Sequence, residues 1–312
     1  MPGAGLRALG RNVFFYDLRD LDTLLGGLVL TPGVTNADFY AMVNIVLIIS
    51  SSFLLQNDNG ETVLQDSQPL LPGRYFVVAD STIEINNEPV YTRAMSIQTG
   101  PRVRVFTEQV RERDKGCVVT KKENLRAAVG LWIGFEAAHI FPLAYEQQWH
   151  EYGYGSCITL PPPQGGTINS VQNGLLLRGD MHALFDHYYF SINPDNGYKI
   201  VFFQTDHNDI YGTFLDSRLL DDPRRPRDEL LRWHFRQAVL SNMRGIGEPD
   251  LEQDFPPGSD MMGTIRDGPK AAERMEFELF DRLAHYTDLC SSKDTDGDTD
   301  VDEQDADVSD KD

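Results

Sequence analysis

The chain has 312 residues, of which 41% are apolar and 24% charged, and carries a net charge of −20. That length admits two domains and a sizeable core, and the composition excludes a collagen-like, low-complexity or disulfide-stapled chain. The acidic balance also excludes a uniformly basic nucleic-acid binder, since such a surface repels phosphate unless its cations are clustered.

Residues 1–10 are small and Gly-rich and are expected to form a mobile N-terminus. Residues 11–100 read as a β-rich domain. Val13-Phe-Phe-Tyr16, Leu25 to Leu30, Ala41 to Leu55, Tyr75 to Val78, Thr82 to Ile85 and Val90 to Met95 are strand-like. Turn signals such as Thr31-Pro-Gly33, Asn57-Asp-Asn-Gly60 and Leu71-Pro-Gly73 separate them. This spacing predicts a small β-sandwich or barrel, with Asn36 to Tyr40 open to a helical turn. Phe39 to Leu55 is apolar enough to raise a membrane span, but Asn44 and Ser50-Ser-Ser52 interrupt it and no positive flank adjoins it. A buried strand or strand pair is the expectation, and no membrane association.

Residues 101–205 follow as a second domain. Arg102 to Lys115 alternates and then turns helical, with Val105, Phe106 and Val110 on one face. Tyr145 to Tyr154 and Pro161 to Gly166 read as a long loop, in which Trp149 and His150 suit either base stacking or a local mini-core. Phe190 to Ile200 reads as a hairpin with a Pro/Asn/Gly turn. Residues 206–290 read as a helical C-terminal extension packing on the core. Within it, residues 223–244 hold six Arg against Asp228 and Glu229, a local charge of +4. Residues 270–286 suggest another amphipathic helix. Residues 291–312 hold ten acidic groups and two Lys, a net of −8 that leaves −12 for the rest. The tail superficially matches a calcium loop from Ser292 to Glu303, but its plain reading is a disordered, self-repelling segment. Cys117, Cys157 and Cys290 make no C-x-x-C pair, and no charged-then-apolar leader is seen. An intracellular protein, cytoplasmic or nuclear, is expected.

The chemistry concentrates between Phe135 and Phe203. His139 stands in an apolar strand ended by Pro142; Asn173-Gly174 marks a turn; His182 and Asp186 lie four apart, on one face of a short helix that Asp180 is expected to cap. A neutral imidazole can take a proton from water near neutral pH, and phosphodiester hydrolysis needs that water together with a cation. Each of these residues alone reads as core or turn. Their joint order argues for a metal-dependent nuclease.

The pattern Ala138-His139-Ile-Phe-Pro142 … Asn173-Gly-Leu-Leu-Leu177 … Asp180-Met-His182-Ala-Leu-Phe-Asp186, preceded by Arg113-Asp-Lys-Gly-Cys-Val-Val-Thr120, resembles the HNH endonuclease family of the ββα-metal fold. Up to its acidic tail the chain also resembles a group of fungal HNH-domain proteins. The resemblance implies an α+β fold in which a β-rich N-terminal domain precedes a ββα nuclease domain with C-terminal helices. It implies DNA as substrate and a divalent cation, Mg²⁺ first and Mn²⁺, Ni²⁺ or Zn²⁺ as alternatives. His139 would be the general base, Asn173 structural and His182 a metal ligand. Many relatives carry Asp or His just before the first His, where this chain has Ala138. Glu136, Asp186 or Asp180 would have to supply the second ligand. Arg178, Arg232 and Arg236 are the candidate phosphate contacts. An inactive binding module on the same scaffold, and a protein-interaction role for the β-rich domain and tail, are the competing readings.

Overall fold

The computed structural model describes residues 6–91, 101–206, 208–248 and 266. Expectations for 92–100, for the helix over 270–286, for Cys290 and for the acidic tail fall outside these residues.

The first strand, β1 (Val13–Asp17), pairs antiparallel with β2 (Asp20–Leu28). Helix α1 (Asn36–Val46) follows and runs directly into β3 (Leu47–Ile49). Next come β4 (Phe53–Asn57), β5 (Thr62–Val63), β6 (Gly73–Ala79) and β7 (Ile83–Ile85). One five-stranded sheet has the order β2-β1-β6-β4-β5, with β1 and β6 parallel, and β3 pairs separately with β7. Alternation places Val13, Phe15, Leu55, Tyr75 and Val77 on the inner face, under Phe39, Met42 and Val43 of α1.

This is one sheet backed by helices, not a sandwich or barrel. The difference lies in residues 36–46. Their apolar content suits a strand, but Phe39, Met42, Val43 and Val46 are buried at helical spacing. Thr35 and Asp38 form a reciprocal capping box that starts the helix. Among the described residues, no helix is long and apolar enough to cross a membrane.

The second part begins with α2 (Pro101–Asp114), helical throughout rather than alternating at its start. It continues with β8 (Phe135–His139), α3 (Glu146–Glu151), β9 (Gly174–Arg178), α4 (Gly179–Asp186), β10 (Phe190–Asn193) and β11 (Lys199–Phe202). The last two form the expected hairpin, turning through Gly197 at φ 61°, where a side chain is disfavoured. Trp149 of α3 is buried against Phe141 and gives its indole N–H to Thr167, so it belongs to a core and not to a stacking platform.

The short α5 (Ser217–Leu220) precedes α6 (Asp228–Met243). Two cores claim α6. Phe235, Ala238, Val239 and Met243 join the N-terminal core, while Leu230, Leu231 and Trp233 join that of the second part. A helix serving two cores is buried on most of its circumference, and its buried polar side chains His234, Gln237 and Asn242 are satisfied by hydrogen bonds. The α+β class holds, with the β-rich part first and the ββα unit after it.

Candidate functional site

The centre of the second part is the β8–β9 hairpin. The strands are antiparallel, with His139 opposite Gly174, Ala138 opposite Leu175 and Glu136 opposite Leu177. Side chains alternate across the pleat, so His139, Ala137 and Phe135 face one side and Ala138 and Glu136 the other. Helix α2 covers the first side, where Phe106 and Val110 pack with Leu176, Ala137 and Phe135. Helix α4 covers the second, where Met181 and Phe185 pack with Ala138, Leu175 and Leu177.

Asn173 sits where the hairpin begins and is fully buried. Its side-chain oxygen accepts from the Phe141 amide at 2.8 Å, and its amide nitrogen donates to the carbonyls of Phe141 at 3.1 Å and Ile168 at 2.9 Å. The backbone adds Ile140 N–H to Asn173 O at 2.8 Å. The side chain thus extends the β ladder by one residue and fixes the exit of the chain from His139. Asn173→Ala leaves the Phe141 amide without this acceptor, and thermal or urea unfolding is expected to show a loss of about 1–3 kcal/mol, with activity falling alongside. An inactive Asn173→Ala protein of unchanged stability would make Asn173 a direct substrate or metal contact.

His139 lies flat on Phe106, with ring centroids 3.8 Å apart and planes 12° apart. Gly174 makes this possible, because a Cβ there would come within 2.6 Å of the Phe106 ring and 2.7 Å of Val110. The imidazole Nε2 is shielded from solvent.

His182, on α4, faces the other side of the hairpin. Its Nδ1 is 2.6 Å from a Glu136 carboxylate oxygen, and its Nε2 is 3.2 Å from Asp186. Gly179 leaves room for Glu136, since a Cβ there would stand 3.2 Å from its carboxylate. Ala138, two residues from Glu136, is fully buried and contributes only packing. Two of the three carboxylates named as substitutes, Glu136 and Asp186, therefore meet at His182. The third does not. Helix α4 begins at Gly179 with Arg178 as its cap, so Asp180 lies inside the first turn, and its carboxylate pairs with Arg178 at 2.7 Å.

The two ring nitrogens of an imidazole point in different directions, so Glu136 and Asp186 flank His182 and do not converge on one point. Accordingly, no group of three or more His, Cys, Asp or Glu among the described residues is arranged around a common ion position. The donor set still fits a divalent cation in the arrangement where one carboxylate and one imidazole nitrogen bind and the other carboxylate fixes the tautomer.

Arg178, the third basic candidate, reaches Asn208 at 3.5 Å as well as Asp180. Arg232 and Arg236 are engaged in ion pairs at the surface. Arg232 forms a two-point pair with Asp195 at 2.6 and 2.8 Å, and Arg236 pairs with Glu88 at 2.6 Å. The pairing partners hold Asp195 below the usual carboxylate range, chiefly through the Arg232 hydrogen bonds. Within the positive run 223–244, Arg224, Arg225, Arg227 and Arg244 pair with acids two to four residues away, while Arg232 and Arg236 pair with acids brought from elsewhere in the fold. Charge counting along the sequence does not find Asp195 and Glu88.

Residues 117–193 match the sequence model of the family described as HNH endonuclease. The chain carries an HNH endonuclease domain. An HNH domain implies nuclease activity on nucleic acid, and HNH nucleases generally use a divalent metal ion. Residues 10–84, the five-stranded sheet and α1, match a family described only as a domain of unknown function. No curated protein and no solved structure matches the chain.

Two site features have roles that the motif does not disclose. One is Phe106, visible only as an apolar helix position. The other is the Arg113-Asp114 pair leading into the HNH domain. Both side chains are buried. Arg113 donates to the carbonyls of Val171 (2.8 Å), Arg224 (2.8 Å) and Gly174 (2.7 Å), while Asp114 accepts from the Leu176 amide at 2.8 Å. The pair grips β9 at both sides of Leu175. The motif lead-in marks the doublet in the sequence, but a charged pair at a helix end reads there equally as a solvated terminus.

Proposed function

We propose that the protein is a metal-dependent HNH endonuclease that hydrolyses phosphodiester bonds of DNA. The observation that carries this reading is the pairing of His182 with Asp186 and Glu136 on the helix face of an HNH domain whose motif lacks the usual acidic or imidazole residue at Ala138. His182 Nε2 and Asp186 would hold the cation, and Glu136 would orient the ring through Nδ1. The cation supplies charge neutralisation at the transition state and at the leaving oxygen. His139 accepts the proton of the attacking water. Its ring is stacked on Phe106 and its Nε2 is shielded from solvent, so the ring must turn or use Nδ1 to meet that water.

That stack favours one other reading, an HNH scaffold that binds nucleic acid without cutting it. The test is nicking of supercoiled plasmid by the purified chain with Mg²⁺, Mn²⁺, Ni²⁺ or Zn²⁺, and with chelator. Cleavage that depends on the cation and falls about 10²-fold or more in His139→Ala is the expected result. Cleavage in chelator, or undiminished in His139→Ala, overturns this assignment. DNA binding with no cleavage under any of the four ions gives the second reading.

A further inference from the structure

Between α2 and β8, residues 121–134 form a loop that the HNH motif does not use. Its backbone is closed on itself. Cys117 N–H donates to Lys122 O at 2.9 Å and Asn124 N–H to Lys115 O at 3.0 Å, which seals the neck. The Asn124 side chain ties Leu131 O at 2.8 Å across the loop, and Leu131 N–H returns to Arg126 O at 3.2 Å. Trp132 closes the base, with the Arg111 guanidinium 5.1 Å from its ring centre.

The loop is held by its backbone, and its large apolar side chains face outward. Leu125 is 91% exposed, Val129 80% and Ile133 82%. Single exposed apolar residues are ordinary, but three within nine positions on a fixed backbone make a patch. The loop carries the exposed cations Lys121, Lys122 and Arg126 and one acid, Glu123, and Asp216 lies near enough for Lys121 to act on its charge. None of the three cations forms an ion pair among the described residues, unlike Arg178, Arg232 and Arg236. The loop also ends at the site. Gly179 N–H, at the start of α4, donates to Gly134 O at 3.1 Å, and β8 follows at Phe135.

We propose that the 121–134 loop is a nucleic-acid docking arm: Lys121, Lys122 and Arg126 take backbone phosphates of duplex DNA, and Leu125, Val129 and Ile133 enter its minor groove as an apolar wedge. Wedges of this chemistry unstack base steps and bend the duplex, which brings a phosphodiester towards a site beside the wedge. The cations fit the phosphates, and in an acidic chain they supply the local attraction that the overall charge opposes. The assignment rests on the nuclease reading only for the purpose of the arm.

The test uses the full chain as His139→Ala and a duplex carrying 2-aminopurine, whose fluorescence rises on unstacking. The parent is expected to bind and raise the signal. Combined Leu125→Ser, Val129→Ser and Ile133→Ser is expected to abolish the rise and weaken binding about tenfold or more, with the melting temperature unchanged, as these side chains are exposed. Combined Lys121→Ala, Lys122→Ala and Arg126→Ala is expected to flatten the slope of log affinity against log salt by about 2–3. Unchanged affinity, slope and fluorescence in both variants overturns the arm. So does loss of binding to phosphatidylserine vesicles with DNA binding intact, which would assign the loop to membranes. The wild-type chain separates the two readings. Duplex unstacking without cleavage keeps the arm and removes the nuclease, while cleavage that survives both loop variants removes only the arm.

Discussion

Arg113→Ala is expected to lower the unfolding free energy by about 3–5 kcal/mol, the range for breaking a buried ion pair from one side. The size follows from what remains. Asp114 stays buried with its charge uncompensated, and the carbonyls of Val171, Arg224 and Gly174 lose their donor together. Replacing both members by apolar residues, as in Arg113→Met with Asp114→Leu, removes the stranded charge but not the backbone debt. The Leu176 amide would also lose its acceptor. The double variant is therefore expected to recover only part of the loss. Arg232→Ala serves as the contrast, because its pair with Asp195 is half exposed and is expected to cost under about 1 kcal/mol. Urea denaturation at neutral pH measures all three. Equal, small losses at Arg113 and Arg232 would mean that the clamp does not hold β9.

Acid is expected to loosen the joint between the N-terminal sheet and the HNH domain, through Asp38. This carboxylate lies at the start of α1 and receives Lys199 at 2.6 Å and Asn196 at 2.6 Å from the β10–β11 hairpin, besides the hydroxyl of its own cap residue Thr35. Both partners of the ion pair are nearly inaccessible. Burial pushes the Asp38 carboxyl up, but the hydrogen bonds from Lys199 and Thr35 outweigh it, and the net direction is down. A carboxylate depressed in the folded state contributes stability that is fully present above its unfolded pKa, near ~3.9, and is lost as pH falls through the lower folded value. The wild type should therefore lose part of its stability below about pH 4. Asp38→Ala should be less stable at neutral pH by about 3–5 kcal/mol, because it leaves Lys199 buried without its partner. Its remaining stability should depend less on pH in the acid range. Melting curves of both proteins between neutral pH and pH 3 decide this, and parallel curves would show that Asp38 does not carry the acid response.

Much of the HNH domain is legible in the chain because its signals are local. His139 before Pro142, Asn173 before Gly174 and His182 four residues from Asp186 fix a strand, a turn and a helix face through short-range rules alone. The 190–202 hairpin is readable for the same reason, since Pro194 and Gly197 dictate its turn. The helix at 36–46 was harder. Its β-branched and aromatic content fits a strand, and the decision rests on the Thr35–Asp38 capping box and on burial at helical spacing under the sheet.

By itself the sequence determined the HNH motif and the gap at Ala138, since each depends on residue identity and spacing within a few turns of chain, and the α+β class came with the resemblance that motif carries. The tertiary structure alone decided which carboxylates meet at His182, because Glu136 approaches from the neighbouring strand while Asp186 comes from the same helix. It alone laid His139 on Phe106, across a gap kept open by Gly174. It also joined Arg232 to Asp195, Arg236 to Glu88 and Lys199 to Asp38, over separations of 37, 148 and 161 residues. Charges are visible in a sequence, but a charge is neutralised by whatever the fold brings within a few ångströms, and that distance is set by packing and not by order along the chain.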